Sequence, residues 1–109
     1  MTRSETLLLP VSPGEVRAAC RSAVLSEVWE LEQETADRLV AHEWQWRVSC
    51  QVRPARIEIS IDSAGAHGAK VRLEASTAGI GPVPARHLRN HLAALTAAVR
   101  RGAASARVS

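Results

Sequence analysis

Four histidines and three tryptophans carry most of the chemistry open to this sequence. His87 and His91 are four residues apart, the spacing that sets two imidazoles on one face of a helix, where they can address one metal ion or one proton. His42 precedes Trp44 and Trp46 with the same parity, which in a strand puts all three on one face. No acidic residue neighbours the histidine pair in sequence, and there is no nucleophile elbow, phosphate loop, Cys-His motif or recognisable pair of catalytic carboxylates. Phe and Tyr are both absent, which removes a phenolic acid or base and the platforms on which single-stranded bases stack. The reading is therefore no metal and no cofactor, with His42 and His91 as the candidates for a general acid or base.

Arginines offer a second kind of chemistry. Arg86, His87 and Arg89 fall in the first turns of an expected helix, where the macrodipole is already positive; each costs about 0.3–1 kcal/mol when exposed. A bound anion would relieve that cost, so Arg86 and Arg89 are candidate anion ligands. Gly79 and Gly81 precede them, but Pro82 and Pro84 remove two amide donors from any phosphate cradle. Beyond Glu74 the chain has no acid, while Arg86, Arg89, Arg100, Arg101 and Arg107 follow, within a formal net charge of +3. Such a basic end permits non-specific phosphate contact. The acidic alternation of Glu30, Glu32 and Glu34 and the missing stacking aromatics argue against a dedicated nucleic-acid reader.

The elements that must position these groups are legible from periodicity. Thr6 to Val11 reads as a strand, and Ser12-Pro13-Gly14-Glu15 as a helix start, with Ser12 as cap and Glu15 returning a bond to it. Val16, Ala19, Cys20, Ala23 and Val24 then form a stripe of mostly small side chains. From Trp29 the period becomes two, with Trp29, Leu31 and Gln33 on one face. Alternation resumes over residues 38–53, where the even positions from Val40 through His42, Trp44 and Trp46 to Val52 read as the inward set; a break is expected near Trp44-Gln45-Trp46. Ile57, Ile59 and Ile61 and then Val71, Leu73 and Ala75 mark a hairpin in which Glu58 and Arg72 face each other. A second helix is expected from about Ala85 to Arg101, striped by Leu88, Leu92, Leu95 and Val99. His91 lies about 60° and His87 about 100° from the Leu88 centre of that stripe.

The chain of 109 residues thus reads as one domain, residues 1–102, with a flexible tail at 103–109. The fold class is α+β, a curved antiparallel sheet in the order β-α-β-β-β-β-β-α with an amphipathic C-terminal helix packed across it. That order resembles the START-like or Bet v 1-like (SRPBCC-type) superfamily, whose helix-grip fold wraps a sheet around a long terminal helix. The resemblance is architectural and covers about residues 5–101; one strand fewer and a single helix after the first strand leave less room for a cavity. It implies a hydrophobic or amphiphilic small molecule held between sheet and helix, with Trp29, Gln33, His42, Trp44, Trp46, Leu88, His91, Leu92 and Leu95 around it. The alternatives are an interaction module with a filled core, as a homodimer or on another protein, and a cyclase- or isomerase-like enzyme. Cys20 and Cys50 lack metal-type spacing and read as reduced thiols; with neither a secretory segment nor a membrane span in sight, a cytoplasmic location is expected.

Overall fold

The computed structural model describes residues 1–26, 29–43, 54–78 and 81–108. Strand β1 (Thr2–Leu9) leads into helix α1 (Pro13–Ser26), followed by β2 (Trp29–Glu34), β3 (Arg38–Glu43), β4 (Arg56–Ser63), β5 (Ala69–Ser76) and helix α2 (Pro82–Val108). The strands form one antiparallel sheet in the order β1-β5-β4-β3-β2, the expected architecture with its terminal helix. The additional strand expected after the break near Trp44 lies outside the described residues, as do Trp44, Trp46 and Cys50.

The start of α1 follows its sequence signature. The Glu15 amide donates to Ser12 Oγ at 3.2 Å and the Ser12 amide to Glu15 Oε2 at 3.4 Å, which satisfies two amides that a helix start leaves orphaned. Val16, Ala19, Cys20, Ala23 and Val24 are the buried residues of this helix. Val16, Cys20, Ala23 and Val24 join the inward side chains of the sheet, among them Leu7, Ile57, Ile59, Val71 and Leu73, and the α2 stripe of Leu88, Leu92, Leu95, Val99 and Ala103 in one core.

Helix α2 is longer at both ends than periodicity alone implies. It begins at Pro82, because Pro82 and Pro84 occupy first-turn positions whose amides would be unbonded anyway; the Ala85 amide donates to the Gly81 carbonyl at 3.1 Å and closes the turn. It also continues through the stretch expected to be a loose tail. A helical Gly costs about 1 kcal/mol relative to Ala, but here Gly102 permits close approach to α1: a Cβ on it would stand 3.0 Å from the Ala19 Cβ. Ala103 beyond it is 3% exposed.

Three face assignments are corrected. Leu39-Val40-Ala41 is apolar at both parities, and it is Leu39, Ala41 and Glu43 that stand on the core side, while His42 faces outward beside Glu30 and Glu32 at 3.1 and 3.7 Å. In β2 the register against β3 shifts between Leu31 and Gln33. Such a bulge exchanges the faces, so Gln33 is exposed while Glu34 meets Arg17 and Arg21 of α1 at 3.0 and 3.2 Å. In the hairpin Glu58 lies opposite Glu74 rather than Arg72; it pairs instead with Arg38 at 2.9 Å and Arg56 at 3.5 Å, and Arg72 pairs with Glu74 at 3.1 Å.

Candidate functional site

Two neighbouring features of α2 carry the polar chemistry of the helix. The first is built around Glu43, the last residue of β3, whose side chain is 3% exposed. Its backbone is fixed on both sides, by register with Trp29 and by its amide donating to the Ala55 carbonyl at 2.9 Å. That inward direction aims the carboxylate at the first turns of α2. His87 Nε2 lies 2.8 Å from Oε1 and His91 Nε2 lies 3.0 Å from Oε2, while the Ala55 amide donates to Oε1 at 3.1 Å. The two imidazoles pack edge to face with centroids 4.4 Å apart, and Trp29 closes the far side with its ring 5.5 Å from that of His91.

Burial acts to raise the Glu43 pKa, since it penalises the charged form. The hydrogen bonds from His91 and His87, the Ala55 amide and the His91 charge outweigh it and hold the carboxyl at about 2, below its ordinary 4.5. Glu43 is therefore an ionised carboxylate in an interior position. Both histidines keep about a fifth of their side chains in solvent, so the cluster has an outlet. His87 lines a shallow depression there with Pro82, Val83, Arg86 and Asn90.

The second feature is an open cleft of about 600 Å³ between the start of β1 and the other flank of α2. Thr2, Arg3, Ser4 and Glu5 form one wall; Arg89, Leu92, Ala93, Thr96, Ala97 and Arg100 form the other. These helix positions recur every three to four residues, which places them on one face. Apolar Leu92, Ala93 and Ala97 share the cleft's lining with three exposed arginines at its rim, and the Thr96 hydroxyl oxygen is buried without a hydrogen-bond partner among the described residues.

Against this geometry, the residues singled out in sequence divide. Trp29 and His91 belong to the Glu43 cluster, Leu92 and Arg89 to the cleft. Leu88 and Leu95 are fully buried core residues. His42 and Gln33 are not brought to the interior, and Arg86 and Arg89 line separate depressions. Glu43 escaped sequence reading because its partners are on a distant helix. The only trace was an acid ending a largely apolar strand.

No family model matches the sequence, and no curated protein matches it either. Among solved structures the chain is similar to the di-domain ARO/CYC BexL from the BE-7585A biosynthetic pathway, at 14% identity and a TM-score of 0.69, covering 94% of this chain and 46% of that one. This chain thus spans about half the length of that di-domain protein. It is also similar to Ara h 8.0201, at 9% identity and a TM-score of 0.58 over 96% of this chain and 98% of that one. The Zhui aromatase/cyclase from Streptomyces sp. R1128 matches at 12% identity and a TM-score of 0.54, over 100% and 96% of the two chains. At such identities the likeness is one of backbone architecture: the chain has the helix-grip fold of the START-like and Bet v 1-like proteins.

Proposed function

We propose that this chain is a binding domain for an amphiphilic small molecule with an anionic head, received in the cleft between β1 and α2. One observation carries this reading: apolar Leu92, Ala93 and Ala97 line the same open cleft as Arg3, Arg89 and Arg100. A hydrocarbon body loses water against these apolar side chains, at about 25 cal/mol per Å². A carboxylate or phosphate head is met by guanidinium groups suited to bidentate contact. Glu5 sits at the same rim and disfavours a head with more charge than the arginines can offset.

The structural neighbours support a hydrophobic-ligand fold in general, and the arginine rim narrows the ligand class. Titration calorimetry with a saturated C12 carboxylate, against the C12 alcohol, tests it. The carboxylate is expected to bind at least tenfold more tightly, and Arg89→Glu and Arg100→Glu each to remove most of that preference. Arg86→Glu, in the other depression, is expected to leave it intact. Absence of binding, or binding indifferent to Arg89 and Arg100, overturns the reading.

A further inference from the structure

The Glu43 cluster has the composition and geometry of a small metal site. We propose that Glu43, His87 and His91 together bind a divalent zinc-like ion, with at least one coordination position left open toward solvent. This goes beyond the ligand-binding reading and does not depend on it, because the cleft and the cluster use different side chains.

The three residues each offer one ligand atom, and these atoms all lie within 4.8 Å of one another. A tetrahedral zinc with ligand distances of about 2.0–2.2 Å needs its ligands about 3.3–3.5 Å apart. The Nε2 atoms of His87 and His91 lie 2.8 and 3.0 Å from different carboxylate oxygens, Oε1 and Oε2, so admitting the ion requires a shift away from this hydrogen-bonded arrangement. Side-chain rotation of His87 and His91, both partly in solvent, supplies it. The donor set of two imidazoles and one carboxylate suits a borderline ion such as zinc better than the all-oxygen set magnesium or calcium prefers.

Charge points the same way. Among the described residues no lysine or arginine pairs with Glu43, whose side-chain ion pairs are with His87 and His91 alone. The two imidazoles donate hydrogen bonds to the buried carboxylate, and a divalent ion would add two positive charges beside it. The support is rigid: the histidines are one turn apart on a long helix, and Glu43 ends a strand paired on both edges. The Ala55 amide at 3.1 Å from Oε1 is an outer contact of the sort that orients a ligating carboxylate. Two protein nitrogens and one oxygen leave a fourth position vacant, for water or a ligand oxygen. His87 also lines a solvent-facing depression with Arg86 and Asn90.

The test titrates the chelator-treated full chain with Zn²⁺ alone and with Co²⁺ as a spectroscopic probe. Expected are one equivalent bound and a Co²⁺ visible spectrum of four- or five-coordinate nitrogen and oxygen ligation without thiolate charge transfer. His87→Ala and His91→Ala should each weaken Zn²⁺ binding at least tenfold. Glu43→Gln should do the same; if it fails to fold by circular dichroism, the two histidine variants decide. His42→Ala, on the outer face beside Glu30 and Glu32, should leave the affinity unchanged. Binding lost in His42→Ala, thiolate bands in the Co²⁺ spectrum, binding unaltered in the His87 and His91 variants, or no binding below millimolar Zn²⁺ each overturns the proposal. Absence of any C12 carboxylate preference in the parent chain, with Zn²⁺ binding intact, would defeat the cleft reading alone.

Discussion

His87 Nε2 lies 2.8 Å from Glu43 Oε1 although the two residues are 44 positions apart in the chain. The contact joins the last residue of β3 to the first turns of α2, so it reports on both the docking of the helix and the chemistry of its exposed end. Replacing Glu43 by Ala leaves a cavity, an unbonded Ala55 amide and two histidines without their acceptor. A loss of about 2–3 kcal/mol is expected in urea denaturation of metal-free protein. Glu43→Gln keeps an acceptor for Ala55 and should cost less. Equal midpoints for Glu43→Ala and the parent chain would show that the contact contributes nothing.

Gly102 lets α2 pass close to α1, with a hypothetical Cβ 3.0 Å from that of Ala19. Gly102→Val is expected to wedge the helices apart and lower stability by about 1–3 kcal/mol, despite its better intrinsic helix propensity than glycine. Removing residues 102–109 should also lower the denaturation midpoint, because Ala103 is 3% exposed in the core. A truncated chain as stable as the full one would instead describe a tail without packing.

Gly68 closes the β4–β5 hairpin after the short helical turn Gly65–His67, with a φ of 103°. An added Cβ would collide with the Leu9 carbonyl oxygen and come within 2.9 Å of Pro10 Cα. Both are backbone atoms, which cannot step aside as a side chain can. Gly68→Ala is therefore expected to destabilise by at least about 2 kcal/mol, while Gly14→Ala, with nothing within 4 Å, should not. Thermal melts of the two variants compare them directly.

Cys20 is fully buried, and desolvation pushes its thiol from 9.0 up to about 12. The neutral thiol is thus held in the fold while the unfolded chain ionises first. Its contribution to stability is complete below pH 9 and declines as pH rises from 9 toward 12. In a Cys50→Ser background, alkylation by iodoacetamide at pH 8 should be slow in native protein and rapid in urea, since the thiolate is the nucleophile. Rapid labelling of native protein would contradict the burial.

Local chemistry sufficed for whatever is decided within a few residues. The Ser12–Glu15 box, the small-residue stripe of α1, the isoleucine alternation of β4 and the leucine stripe of α2 all follow from spacing, because each is set by a single helix or strand period. Their order sufficed for the architecture. The terminal helix beyond Arg101 escaped local reading because Gly102 is unfavourable in an isolated helix and acceptable only where Ala19 approaches it. The outward turn of His42 escaped it because Leu39-Val40-Ala41 satisfies either parity, and the displacement of Gln33 because a bulge is a property of two paired strands. Above all, Glu43 acquires its role from partners on another element. A carboxylate is ordinary in sequence; burial against two imidazoles, which only the docking of α2 on the sheet produces, makes it the charged centre of the molecule.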